Sequence, residues 1–201
     1  MPTFSETFRR AFLILVLAGV LVTVEFVMFA RPLIVSLYGH EYGQGANAAR
    51  IVVIAGCIGA FGKLAFTVLL AMGRHRLYPA VACAGLAVNV TLNLILIPNA
   101  SYFGAAVATL ITEVVVVTLL MIPIARLEAL RPLPVRRMAL AVLAGGLSVV
   151  GALVLRTVAP WPVAAAAAAV VYVVVVHLAR VPGPQGWASL LAGASARGRH
   201  A

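Results

Sequence analysis

This sequence predicts an all-α integral membrane protein, a bundle of about six transmembrane helices, and three observations predict it. Apolar side chains make up 64% of its 201 residues and charged ones 10%, far from the balance of a water-soluble domain. Its apolar runs approach or reach the about 20 residues that a helix needs to cross hydrocarbon. Its arginines gather at the ends of those runs, where they mark orientation in a membrane.

Spans are expected at 11–30, 49–72, 78–97, 104–124, 138–155 and 163–179. Arg31-Pro32, Gly73-Arg74-His75-Arg76, Pro98-Asn99, Arg131-Pro132-Leu133-Pro134 and Ala159-Pro160-Trp161-Pro162 break the chain between them. Connections this short make each helix antiparallel to the next. Residues 1–181 form the transmembrane domain on this reading, and residues 182–201, rich in Gly, Ala and Arg, form a disordered or surface-bound cytoplasmic tail. At the start, Arg9-Arg10 before an apolar run imitates a signal peptide. Glu25 interrupts that run and Met28-Phe29-Ala30 is a poor cleavage site, so a retained helix is expected. Thr3-Phe4-Ser5-Glu6 has capping-box spacing, and Phe4, Phe8 and Phe12 share a face, which predicts a short interfacial helix ahead of the first span.

Charge sets the expected orientation. There are 15 Lys and Arg against five acidic residues, all of them Glu. With both termini on one side, that side holds Arg9, Arg10, Arg74, Arg76, Arg126, Arg131, Arg136, Arg137, Arg180, Arg197 and Arg199. The other side holds Arg31, Arg50 and Arg156, so both termini are expected in the cytoplasm. Tyr38, Tyr42 and Trp161 fall at the outer boundary, where amphipathic rings prefer to sit. Nucleic-acid binding needs basic residues clustered on a solvated face and is not expected. Cys57 and Cys83 lie inside apolar runs at different depths, which predicts free, buried thiols.

Embedded polar residues are the candidates for function. A charge at the bilayer centre costs about 2.5–3.5 kcal/mol on insertion scales. Helix rise places Glu113 about 13 Å from the outer boundary, Lys63 about 20 Å and Glu25 about 8 Å. Lys63 and Glu113 are close enough in depth to bridge. Either they line a polar cavity or they tie helices together. Glu25 is near enough to the edge to meet water, Arg31 or Arg50. Asn89 and Asn93, one turn apart, face the same way, with Asn89 near the depth of Glu113. They either line the same cavity or orient helices. Small residues open close approaches: Gly56, Gly59 and Gly62; Gly104 and Ala108; Ser148 and Ala152. The run 164–169 is all alanine and reads as packing.

Nothing in the chain points to an enzyme. It has no Asp, and His40, His75, His177 and His200 are scattered. No cluster has metal-ligand spacing, no glycine-rich loop resembles a nucleotide cradle, and no nucleophile sits beside a base. Neither metal nor cofactor is expected.

The ordered blocks Leu37-Tyr38-Gly39 with Tyr42, Ala71-Met72-Gly73-Arg74, Asn89 and Asn93 before Ile97-Pro98, and Gly104-Ala105-Ala106 with Ala108-Thr109 and Glu113 resemble the C-terminal region of polysaccharide-biosynthesis flippases. These belong to the multidrug/oligosaccharidyl-lipid/polysaccharide exporter superfamily. The resemblance covers about residues 9–125, and the last two spans only by hydropathy. It implies a flippase-type fold in the inner (plasma) membrane and transfer of a lipid-linked oligosaccharide by alternating access, often coupled to an ion gradient, in cell-envelope or exopolysaccharide biosynthesis. Under it, Lys63 with Asn89 and Asn93 would meet the pyrophosphate and acidic sugars, and Glu113 would couple to protons or ions. Complete members have two lobes of six helices, so six spans imply a fragment or one part of a split transporter, partnered by a separate N-terminal half. The alternatives are a structural or assembly subunit beside polysaccharide-synthesis enzymes, and a membrane-embedded transferase.

Overall fold

The computed structural model describes residues 4–74, 76–126, 135–157, 159–179 and 181, and it is all-helical there, with no strand among the described residues. Among the described residues, five helices are long and apolar enough to cross a membrane: α1 (Phe4–Tyr38), α2 (Ala46–Ala71), α3 (Leu77–Ala125), α4 (Val135–Leu155) and α5 (Trp161–Leu178). A short 3₁₀ helix, His40–Gly45, leads into α2. The multi-pass membrane architecture expected from composition is therefore present. Two of the expected spans, however, lie within α3, whose 49 residues hold one non-helical position, Ser101 (φ 50°, ψ −135°).

Two expected breaks are moved by the structure. Arg31-Pro32 does not end the first helix, which runs on through Pro32 to Tyr38. Proline removes one N–H and crowds the carbonyl four residues back, and transmembrane helices tolerate that where neighbouring groups supply donors. Beside that turn, Arg50 of α2 directs its Nε to the Val27 carbonyl at 2.9 Å, one residue before the Met28 carbonyl that Pro32 frees, while its other arm meets Asn47 Oδ1. The turn after α1 falls instead at Gly39, whose φ of 100° suits glycine. In α3 the helix runs past Pro98-Asn99 and the reversal comes at Ser101; Asn99 Nδ2 adds a bond to the Ile95 carbonyl (2.8 Å) in the last turn before the tip. The separate interfacial helix is also absent: Phe4 already belongs to α1, with Phe8 buried and its ring 5.9 Å from that of Phe12. The proposed tail, 182–201, lies outside the described residues, as does the break at 131–134.

The chain divides into two compact units. One contains the first part of α1, up to Val24, together with α4 and α5. There α4 presents Ala141, Ala144, Gly145, Ser148 and Ala152, a stripe of small buried residues. The buried residues of α5 are Ala164, Ala168, Tyr172 and Val176, four apart throughout. Ser148 Oγ donates to the Ala168 carbonyl, and Tyr172 Oη donates to the Leu17 carbonyl of α1 at 2.9 Å. With little hydrophobic effect to drive association in lipid, close backbone approach and such bonds hold helices together. The alanine run thus packs helices, as expected.

The other unit, Glu25–Arg131, holds the rest of α1, the 3₁₀ helix, α2 and α3. Its centre is the hairpin of α3. Gly85 on the first limb lies against Val116 on the second, and Asn89 against Thr112, so four residues forward on one limb are four back on the other. At the tip, a Cβ on Gly104 would run into the Leu96 carbonyl, so glycine is what lets the limbs close so soon after Ser101. The second limb runs parallel to α2: Gly59 faces Glu113, and Gly62 faces Val117 and Leu120. A tilted contact between the rings of Phe66 and Tyr78, centroids 4.1 Å apart, closes the connection between α2 and α3. Both cysteines are free, but Cys83 is exposed on the surface of α3, since the hairpin buries the side bearing Gly85.

Candidate functional site: a polar seam along the α3 hairpin

Of the polar residues singled out in the sequence, Asn89, Asn93 and Glu113 lie on the hairpin, the two amides facing between its limbs and the carboxyl facing α2. Between the limbs, Asn93 Nδ2 donates to both the backbone carbonyl and Oδ1 of Asn89, each at 2.9 Å. Asn89 Nδ2 then donates to Thr112 Oγ1 at 3.2 Å, and Thr112 donates to the Ala108 carbonyl at 2.8 Å. The result is a ladder from amide to amide to hydroxyl to backbone, in which each side-chain donor named has an acceptor. The shared face of Asn89 and Asn93 and the common level of Asn89 and Glu113 are both as the spacing implied.

Thr112 escaped the sequence reading. Threonines in membrane helices often bond their own backbone, as Thr67, Thr109 and Thr118 do here. The one signal was its place beside Glu113, at the depth of Asn89.

Neighbours in sequence, Thr112 and Glu113 point to different partners. Glu113 leaves the hairpin and faces α2, where its carboxylate occupies the room that Gly59 leaves: a Cβ built on Gly59 would stand 2.6 Å from Oε2 and 2.9 Å from Cδ. The small-residue series on α2 therefore has a specific occupant at one position. Gly62, the next small residue along, accommodates Val117.

Lys63 is exposed, one turn beyond Gly59, while Gly62 beside it is buried. The rise along α2 puts it about 6 Å from the level of Glu113, close to the offset expected. The structure does not bring the ammonium into the seam, because the buried face of α2 is the one bearing Gly59, Gly62 and Ala65. Glu25 also stands apart. Its Oε1 is buried with no hydrogen-bond partner among the described residues. Arg50, one of its expected partners, directs its guanidinium to Val27 and Asn47, and Arg31 is exposed beside Gly43.

Among the described residues, no group of three or more His, Cys, Asp or Glu is placed to hold a metal ion. The chemistry present is that of a carboxylate seated against helix backbone, with an amide and hydroxyl ladder on the far side of the same limb. Comparison with protein-family models, curated proteins and solved structures finds no match for this chain.

Proposed function

We propose that this protein is part of a membrane transporter that moves a lipid-linked oligosaccharide across the inner (plasma) membrane, with both termini in the cytoplasm. One observation carries the reading. Glu113 stands mid-limb in a helix of membrane-spanning length, in a seam between two such helices shaped to hold its carboxylate. Embedding a carboxylate is costly, and groups placed so are typically those along which ions or substrates move. In this reading Glu113 couples transport to protons or ions, and Lys63, exposed on α2, offers its cation to the pyrophosphate where a further lobe completes the pathway. The blocks that resemble flippases converge on this unit, which adds support. Transport, not chemistry on a bound group, is the activity proposed.

A second reading, an assembly subunit of a polysaccharide-synthesis complex, is favoured by the satisfied ladder of Asn93, Asn89 and Thr112, which uses those amides to hold a hairpin. One experiment separates the two. The chain, purified with whatever accompanies it, is placed in proteoliposomes with a fluorescent undecaprenyl-pyrophosphoryl sugar, and transfer between leaflets is followed by quenching. The transporter reading expects transfer above empty vesicles and its loss in Glu113→Gln. Co-purification of glycosyltransferases without transfer would establish the assembly role instead.

A further inference from the structure

Gly59 is where a hydrogen atom stands in for a side chain directly beneath a carboxylate. We infer that Gly59 is a positioning residue for Glu113, holding its carboxyl in the seam between α2 and α3 and away from surrounding lipid. The inference rests on the reading of Glu113 as the coupling carboxylate.

The geometry is specific to this one glycine. A Cβ here would meet three atoms of the Glu113 carboxyl, Oε2 at 2.6 Å, Cδ at 2.9 Å and Oε1 at 3.3 Å, and no other residue is so near. The first two are well inside the about 3.5–4.0 Å at which nonbonded heavy atoms are most comfortable. Gly56, one turn earlier, has open space at its Cβ position, and at Gly62 a Cβ would meet Val117 Cγ2 at 3.2 Å. Small size alone is therefore not what distinguishes Gly59; the group it faces is ionisable. That group is also the far end of a flexible side chain, so an added methyl has an easy consequence. The helices stay packed, and the carboxyl rotates out of the seam.

This predicts a substitution that moves a charge while leaving the fold in place. The full chain in membranes is treated with dicyclohexylcarbodiimide, an apolar reagent for embedded carboxyls, and modification of Glu113 is read by peptide mass spectrometry. In the wild type Glu113 is half-buried with its carboxyl against Gly59, and slow reaction is expected. Gly59→Ala is expected to raise the rate several-fold and to lower transfer of the fluorescent lipid-linked sugar several-fold. Gly62→Ala, which meets Val117, leaves both unchanged. If Gly59→Ala accumulates poorly, recovery of its level by adding Glu113→Ala shows that the two groups compete for one space. Equal labelling of Glu113 in wild type and Gly59→Ala, or a poor yield that Glu113→Ala does not restore, overturns the inference. Altered labelling together with transfer indifferent to Glu113→Gln would keep Gly59 as the positioning residue and remove the coupling role, so the two ideas fail separately.

Discussion

Asn89 on the first limb of α3 donates its amide to the hydroxyl of Thr112 on the second, 3.2 Å away and 23 residues along the chain. This bond joins the limbs near their middle. Bonds between membrane helices average about 0.6 kcal/mol and reach about 1.7 kcal/mol in measured cases, because the separated helices find other partners. The cycle of Asn89→Ala, Thr112→Val and the double variant is expected to give a coupling energy within that span. Thermal unfolding in detergent measures it, and strict additivity would mean the contact contributes nothing.

Ser101 carries a backbone conformation that glycine adopts freely and serine does not, with φ at 50°. Such positions cost on the order of 1–3 kcal/mol. Ser101→Gly is therefore expected to stabilise the hairpin by about 1 kcal/mol, seen as a higher melting temperature. An unchanged or lower melting temperature would count against strain at the tip.

Gly104 presents the opposite case. Its absent Cβ would collide with backbone, the Leu96 carbonyl, which has no rotamer by which to yield. Gly104→Ala is expected to cost about 3 kcal/mol, the upper part of the usual overpacking range, and to reduce the amount of folded protein recovered.

In the unit of α4 and α5, the Tyr172 hydroxyl donates to the Leu17 carbonyl at 2.9 Å, with the ring buried. Tyr172→Phe keeps the ring and removes the donor. A loss of about 1 kcal/mol is expected from thermal unfolding, and any larger loss would point to a rearranged ring.

Lys63 is exposed, so its removal should leave this chain's own stability within about 0.5 kcal/mol. Lys63→Met is expected to melt with the wild type yet to transfer the fluorescent lipid-linked sugar poorly. A melting temperature that falls by many degrees would place the ammonium in a structural contact instead.

Much of this was legible in the residues, and what was not has physical causes. The spans from α2 to α5 begin and end close to where Ala46, Ala71, Val135, Leu155, Trp161 and Leu178 fall, since hydropathy and length govern them. Proline was over-read. At Pro32 and Pro98 the sequence shows a missing donor, but not that the helix continues on both sides of it. In the candidate site, i to i+4 spacing put Asn89 and Asn93 together, and rise per residue put Glu113 at their level. Azimuth was harder to read. A one-residue step turns a side chain about 100° around the helix, enough to send Thr112 to Asn89 and Glu113 to Gly59. The face of α2 that packs decides that Lys63 is outside, and no single-helix pattern names that face when the whole surface is apolar.

The tight tip of α3 also bears on how the protein is made. At the tip stand Pro98, Asn99 and Ala100, still helical, and then Ser101, too little polar chain to remain in water while one limb waits for the other. The first limb held alone in lipid would also leave Asn89 and Asn93 without the Thr112 side they face in the hairpin. The two limbs are thus expected to leave the insertion machinery as a closed pair, so the smallest part of this chain that can enter a bilayer here is the hairpin, not the helix.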